Sequence, residues 1–297
     1  MAKTKDISRR INSIRNTRKT TKAMEMVAGA RLRRAQARIE ALRPYADRMM
    51  ELMHEVARCT ECGGEFALLE VHEEIKRVGI VMVTGDRGLA GAFNSNILRH
   101  ALALHDQVKA EGKEVVWIVV GKKGVGTMRF RGYDLTEAVQ GITDRPLFSD
   151  AEAIARSIVY MYENYQLDEV HLVYNHFKSP MEQIVTEEVI LPLGVELVYT
   201  EDERRPEEKG PQGDFLYEPN ANAIMRRLLP SYVDNTIYRA LLESTASEHG
   251  ARMTAMRAAS ENAEEMIEKL TLAMNKARQA SITQEILEVV AGAEALL

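Results

Sequence analysis

The chain has 297 residues, of which 45% are hydrophobic and 28% are charged, a composition typical of a globular protein of one or two domains. No stretch approaches 18 consecutive apolar residues, so we expect neither a membrane span nor a signal or transit segment.

The net charge is −5, yet residues 1–38 carry twelve Lys or Arg against two acidic residues. Such a segment could meet nucleic acid, an acidic protein surface or its own partner helix. Because no aromatic residue precedes Tyr45 and no nucleic-acid motif is present, we expect no nucleic acid.

The first predicted element is a helix from about Asp6 to Cys59. Steps of four and three residues from Ile7 give a heptad-like seam of mostly apolar and small side chains, which needs a partner helix. The seam turns polar at Arg18, Thr21 and Glu25, while apolar residues from Ala23 to Val27 lie elsewhere around the helix. Two interpretations stay open: the polar residues fix the register of a coiled coil, or the helix has a second contact face.

The last predicted element is an almost uninterrupted helix from Ser231 to Leu297, which contains no proline and only two glycines. Small and apolar residues again recur at steps of three and four, rich in alanine. Since each terminal segment has one stripe to bury, we expect the two helices to pair as an antiparallel coiled coil.

The middle of the chain alternates apolar strands with helical patterns. Continuous apolar runs at 78–83, 115–120 and 169–174 predict a parallel sheet that helices cover on both faces. Further strands are expected at 185–191 and 195–199, and Ser149 with Glu152 predicts a helix-capping box. The predicted fold class is α/β, a long antiparallel coiled coil with an inserted Rossmann-like parallel-sheet domain. The predicted domains are 1–60 (N-terminal helix), 61–218 (sheet domain) and 219–297 (C-terminal helix).

Two motifs invite a chemical interpretation. The glycines of residues 85–91 and 121–126 match neither G-x-G-x-x-G nor a P-loop, so we expect no nucleotide or other cofactor. Asp86 and Arg87 are interpreted as a structural pair or part of a protein contact. Cys59 and Cys62 form a lone C-x-x-C that we interpret as reduced thiols in a loop, with metal binding or redox chemistry as the alternatives. We expect no catalytic and no metal-binding residues.

Several stretches resemble one family, the gamma subunit of F-type ATP synthase, which is the central stalk of that enzyme. They are residues 7–17 and 21–28, residues 85–94, and the terminal segment 277–286 with Gly292-Ala293. The resemblance covers nearly the whole chain. It implies a rotor shaft that couples transmembrane proton flow to ATP synthesis and hydrolysis, while nucleotides bind in a surrounding ring of three alpha and three beta subunits. It also implies a non-catalytic subunit, peripheral at the cytoplasmic face of a bacterial membrane, with the epsilon subunit and the c ring as further partners.

The resemblance also implies contact residues. Those expected to meet the alpha/beta ring are Arg9, Arg10, Lys19, Lys22, Met24, Ile282, Thr283, Gln284 and Glu285. Those expected to meet the epsilon subunit or the c ring are Asp86, Arg87 and Tyr217. Two other functions stay open from the residues alone: a coiled-coil scaffold or adaptor, and a Rossmann-like enzyme with helical extensions.

Overall fold

The computed structural model describes residues 2–59, 66–194, 218 and 220–294, and its elements confirm the predicted α/β fold class. Along the sequence, one long helix precedes the five strands of the sheet and a second long helix follows them. The helices are α1 (Ala2–Cys59), α2 (Phe93–Ala110), α3 (Lys122–Phe130), α4 (Phe148–Glu163) and α5 (Ala221–Glu294). The strands are β1 (Arg77–Val83), β2 (Glu114–Val120), β3 (Glu137–Val139), β4 (Glu169–Phe177) and β5 (Gln183–Leu191), and a 3₁₀ turn spans Ala67–Leu69.

The chain divides into two compact units, one of residues 1–29 with 252–297 and one of residues 30–251. Both long helices contribute to both units, because the divisions fall inside α1 and α5. The division at residues 60 and 218 that the sequence suggests stays a prediction.

The sheet has the strand order β3-β2-β1-β4-β5. The first four strands pair in parallel, and β5 joins the edge antiparallel to β4. Strand β1 lies at the centre, with Ile80 opposite Trp117 of β2 and His171 of β4. Because β1 and β2 are parallel neighbours, their carboxyl ends lie side by side at the same end of the strands.

Apolar side chains alternate between the two faces of the sheet because successive side chains of a strand point in opposite directions. On one face, β1 residues Ile80 and Met82 are fully buried in a cluster with α2 and α3. On the other face, Val81 and Val83 of β1 join a cluster that contains α4 and parts of both long helices. The long helices are therefore part of the core of the unit of residues 30–251.

Most predicted elements are confirmed to within a few residues. Residues 195–199, where a last strand was expected, lie outside the described part of the chain. The three-residue strand β3 was not predicted. The capping box was wrong: α4 begins at Phe148, and the carboxylate of Asp150 accepts a hydrogen bond from the backbone N–H of Leu147 at 2.8 Å. Glu152 instead pairs with Arg156 one turn later.

Within the described residues, no helix has an apolar stretch long enough to cross a lipid bilayer.

Candidate functional site

In the unit of residues 1–29 and 252–297, three polar contacts join α1 to α5. Arg18 pairs with Glu264, the hydroxyls of Thr21 and Ser260 lie 2.7 Å apart, and Arg257 Nε donates to Glu25 Oε1 at 3.2 Å. As the residue number rises on α1 it falls on α5, so the two helices run antiparallel, as predicted.

These contacts support the interpretation that the polar residues of the seam fix the register of the helix pair. Glu25 is only 7% exposed, and Lys22 holds its other oxygen at 3.0 Å. The hydrogen bond from Lys22, together with that from Arg257, outweighs burial and keeps the pKa of Glu25 below its usual value. Polar residues thus continue the seam where apolar ones stop, and such residues specify one register.

The outward side of α1 carries the apolar residues that the seam leaves out. Met24, Met26 and Val27 are 40%, 63% and 53% exposed. The predicted contact residues Arg9, Arg10 and Lys19 are exposed too, and Arg9 approaches Asp6 at 3.8 Å. Lys22 differs, since its ammonium is already bound to Glu25.

The end of α5 carries a stripe of apolar side chains that no other described residue of the chain covers. Ile282, Ile286, Val289 and Val290 recur at helical spacing and are between 49% and 73% exposed. The polar residues among them bond along the helix itself: Thr283 to the carbonyl of Gln279, Gln284 to Glu288, and Glu285 to Ser281. Exposed apolar stripes of this kind mark contact surfaces.

In the unit of residues 30–251, Asp86 follows β1 and accepts four hydrogen bonds. Its carboxylate takes the backbone N–H groups of Lys122, Gly141 and Thr143, and the hydroxyl of Thr143, at 2.9 to 3.0 Å. Burial acts to raise the pKa of Asp86, but these donors outweigh it and hold the pKa below its usual value.

The N-terminus of α3 is saturated by neighbouring groups. Its N–H groups at Lys122, Lys123 and Gly124 donate to Asp86 Oδ1, to the carbonyl of Gly85 and to Thr84 Oγ1 at 2.9 to 3.1 Å. Helix N-termini at this edge of a parallel sheet commonly bind phosphate. Here the carboxylate of Asp86 occupies the position that an anion would take.

Arg87 does not pair with Asp86, so the expected structural pair was wrong. The guanidinium of Arg87, 60% exposed, lies 3.5 Å from Asp144. Asp144 also pairs with Arg31 of α1. The two neighbours in sequence therefore have different partners in the same loop, since Asp86 binds Gly141 and Thr143 while Arg87 lies beside Asp144.

A segment of α5, Leu241–Gly250, is buried on every side, and we call it the enclosed segment. Six of its ten residues are polar or charged. Its side chains reach three different neighbours. Thr245 Oγ1 donates to the carbonyl of Thr143 at 2.9 Å, Ser247 Oγ donates to the carbonyl of Asn175 at 3.1 Å, and Glu243 lies 2.6 Å from His176.

Sequence reasoning placed Leu242 and Thr245 on the packed seam of the C-terminal helix but missed that the whole segment is enclosed. Its alternation of glutamate, serine and threonine is typical of a solvated helix face, and no spacing signals that partners surround it. It also missed Thr84 and Asp144, which have no motif of their own.

Some predicted residues lie outside the described part of the chain. Tyr217 and Cys62 belong to this group, and nothing is described of the side chain of Cys59. Among the described residues, no cluster of His, Cys, Asp or Glu side chains has the arrangement of a metal site.

Comparison with known proteins identifies the class. The family model described as ATP synthase matches residues 3–296. An ATP synthase gamma chain from Moorella thermoacetica is 43% identical over 296 residues, covering 100% of both chains, and one from Rubrobacter xylanophilus is 42% identical over 100% of this chain and 99% of its own. The chain belongs to the family of ATP synthase gamma chains.

Solved structures agree with this assignment. A chain from the central stalk and c-ring structure of the Tetrahymena thermophila mitochondrial ATP synthase is 26% identical, covers 81% of this chain and 99% of its own, and has a TM-score of 0.58. A chain from the rotor of the Euglena gracilis mitochondrial ATP synthase shares the fold at 16% identity, covers 95% of this chain and 99% of its own, with a TM-score of 0.62.

Replacing Asp86 by Ala is expected to lower the free energy of unfolding by about 2–3 kcal/mol, because three backbone N–H groups lose a charged acceptor. The matched change Arg87→Ala should cost under about 1 kcal/mol, since its ion pair is exposed. Urea unfolding followed by circular dichroism measures both. The contribution of the Asp86 carboxylate to the free energy of unfolding is complete above about pH 4. It is lost as the pH falls through the pKa of Asp86 in the folded protein, which lies below its usual value. Equal costs for the two variants would contradict this account.

Thr245→Val should cost about 1–2 kcal/mol of unfolding free energy, because the buried carbonyl of Thr143 loses its donor. Thr283→Val is the control: both threonines donate to the carbonyl four residues earlier, but Thr283 is exposed and makes no contact with another element. Its cost should be near zero. Thermal unfolding of both variants beside the wild type gives the comparison, and an unaffected Thr245→Val protein would refute the stabilising role of this bond.

Proposed function

We propose that this chain is the rotor shaft of an F1Fo ATP synthase. In this role it couples transmembrane proton flow mechanically to ATP synthesis and hydrolysis in a ring of alpha and beta subunits. The observation that carries the proposal is the uncovered apolar stripe of Ile282–Val290, in a chain that matches gamma chains over its full length. A stripe that the chain cannot cover itself indicates a surrounding partner.

The coupling follows from asymmetry. The exposed side chains of α1 and α5 differ around the helix pair, with methionines and cations on α1 and branched aliphatic residues on α5. A single asymmetric pair inside a ring with threefold pseudosymmetry contacts each beta subunit differently. Rotation therefore shifts each catalytic site in turn through different affinities, which is a coupling free energy between the shaft and the sites.

Contacts with the ring are assigned to two surfaces. Arg9, Arg10 and Lys19, together with the exposed Met24 that follows them on α1, would meet acidic segments of beta. The segment from Ile282 through Thr283 and Gln284 to Glu285 would face the apolar inside of the ring. Since its polar groups already bond along the helix, few hydrogen bonds would have to break as the shaft turns. Lys22 is a weaker candidate for a contact with the ring because its ammonium is already paired with Glu25.

Torque requires that the sheet domain hold the shaft. Hydrogen bonds are directional, so the contacts of Thr245, Ser247 and Glu243 in the enclosed segment oppose rotation of α5 about its own axis within this domain. The sheet domain would in turn contact the epsilon subunit and the c ring, with Arg87 and Tyr217 as candidate contacts. Asp86 would act indirectly, by fixing the loop that carries Arg87.

A non-catalytic role is supported by the loop after β1. In a Rossmann-like enzyme the N-terminus of α3 would bind a phosphate, yet Asp86 fills that position and repels a second anion. We also assign the chain to the cytoplasmic face of a bacterial membrane, held there through the c ring. The functional division remains two shaft segments, 1–60 and 219–297, around a sheet domain of 61–218.

The direct test is rotation of single complexes. The chain is assembled with its alpha and beta subunits, Cys59 and Cys62 are replaced by Ser, and a bead is attached through Lys109→Cys on the exposed side of α2. ATP should drive rotation in one direction in steps of a third of a turn. The control is the same complex with ATP omitted, in which the bead should only fluctuate. ATP hydrolysis with a stationary bead would refute the shaft role.

Neutralising two cations tests the ring contact. Arg10→Gln with Lys19→Gln should leave assembly intact and reduce ATP-driven proton pumping about fivefold or more relative to ATP hydrolysis. The matched control, Arg129→Gln with Arg131→Gln, removes two exposed positive charges from the end of α3. Pumping by reconstituted vesicles, measured beside hydrolysis, separates coupling from assembly. An unchanged ratio in the first variant would contradict the assignment.

A further inference from the structure

Two histidines and two glutamates meet on the face of the sheet that α2 covers. His100 belongs to α2, Glu169 and His171 belong to β4, and Glu187 belongs to β5. We call these four residues the histidine cluster. Val173, the next residue after His171 on the same face of β4, is buried in the core cluster that contains α2. The histidine cluster therefore lies beside the apolar contact between α2 and the sheet.

Glu187 joins the helix to the two strands. Its Oε1 lies 2.9 Å from Nδ1 of His171, and its Oε2 lies 2.9 Å from Nε2 of His100. Each oxygen of one carboxylate thus bonds to one imidazole ring. The side chain of His171 is only 12% exposed, so water screens its contact with Glu187 only in part. This carboxylate links α2, β4 and β5 at one point.

Both ring nitrogens of His171 face carboxylates. Nδ1 faces Glu187, and Nε2 lies 3.4 Å from Oε1 of Glu169. An ionised carboxylate only accepts hydrogen bonds, and a neutral imidazole carries only one N–H. Both contacts can therefore be hydrogen bonds only while the His171 ring is an imidazolium. Loss of its proton would leave a nitrogen lone pair against a carboxylate, and would remove the positive charge between two glutamates.

The charged groups around His171 favour its protonated form. Burial acts to lower the pKa of His171, but the hydrogen bonds and negative charges of Glu169 and Glu187 outweigh burial and raise this pKa above its usual value. The hydrogen bond from His171 in turn keeps the pKa of Glu169 below its usual value, and the charge of Lys113, just before β2, acts in the same direction. On the β1 side, the residue opposite His171 is the apolar Ile80. The main positive charge facing the two glutamates is therefore carried by a ring that titrates.

We propose that the histidine cluster makes the contact between α2 and β5 sensitive to alkaline pH. The contact is intact while His171 is an imidazolium. It weakens when the ring loses its proton, because one hydrogen bond to a glutamate is lost and the two negative charges are no longer offset. The contact does not depend on the rotor role, since all four residues belong to this chain.

The direction of the pH dependence follows from the pKa of His171. Because this pKa is raised in the folded protein, the stabilisation is complete below about pH 6.5, the usual pKa of histidine in an unfolded chain. It is lost as the pH rises through the higher pKa of His171 in the folded protein. We therefore expect α2 to be held most firmly at neutral and mildly acidic pH.

The test uses the purified full-length chain labelled with ¹⁵N-histidine. Nitrogen NMR distinguishes an imidazolium, in which both ring nitrogens carry a proton, from the neutral ring. The signal of His171 is assigned as the one absent from His171→Gln, and its titration midpoint should lie above about pH 6.5. Hydrogen exchange of the α2 amides, normalised to the unfolded chain at each pH, should lose protection over the same pH range. The amides of α4, on the opposite face of the sheet, are the internal reference.

Two glutamate variants separate the charge of the cluster from the fold. Glu187→Gln keeps the size of the side chain but removes its charge, so the His171 midpoint should fall by about half a pH unit or more, and the loss of α2 protection should move with it. Glu182→Gln is the matched control, because Glu182 lies in the same hairpin and forms an exposed ion pair with Lys178. It should leave the midpoint unchanged. His171→Gln should remove the pH dependence of α2 exchange. If that variant folds poorly, the comparison of the two glutamate variants still decides.

Three outcomes would overturn the proposal. A His171 midpoint at or below about pH 6.5 would show that the carboxylates do not hold the proton. Protection of α2 that stays constant while His171 titrates would show that the contact does not respond to the charge of the ring. An equal effect of Glu187→Gln and Glu182→Gln on the midpoint would assign it to the general surface charge.

Discussion

A helix can be enclosed on every side only if its neighbours supply a partner for each polar group that it buries. The enclosed segment of α5, Leu241–Gly250, meets this condition. It takes partners from the loop that holds Thr143 and from the β4 residues Asn175 and His176. Close approach matters as well, since a Cβ added to Gly85 would lie 2.7 Å from Glu248. The sheet and α5 are thus fitted to each other along ten residues, and the proposed transfer of torque depends on this fit.

The edge of the sheet where enzymes of similar topology bind phosphates has a structural use in this chain. Asp86 accepts four hydrogen bonds there, and Thr84 and Gly85 accept from the remaining N–H groups at the start of α3. The site is therefore complete without a ligand. The fold retains the geometry that attracts an anion, but the anion belongs to the protein and joins β1, α3 and the loop before α4. Similar topology alone is accordingly no guide to function.

Much of the fold could be predicted from the sequence, because the periodicity of apolar residues indicates directly which helices and strands form. The apolar runs of β1 and β2 and the heptad steps of α1 gave the sheet and the paired helices. What could not be predicted depends on contacts between distant residues. Glu25 carries no sign that Arg257 will meet it. The predicted cap Ser149 lies inside α4, because the helix begins at Phe148 and Asp150 binds the backbone N–H of Leu147. Glu243 and Ser247 resemble solvent-facing residues because burial of a polar side chain leaves no periodic trace.

The exposed aliphatic residues at the end of α5 also matter before any complex forms. A newly made copy presents Ile282, Ile286, Val289 and Val290 to the first complementary surface it meets, and a second copy offers one of the same kind. Surplus chains would therefore tend to associate with each other. A cell that makes this protein would gain by matching its supply to that of the partners proposed to cover this end, because a balanced synthesis would leave few copies free to associate.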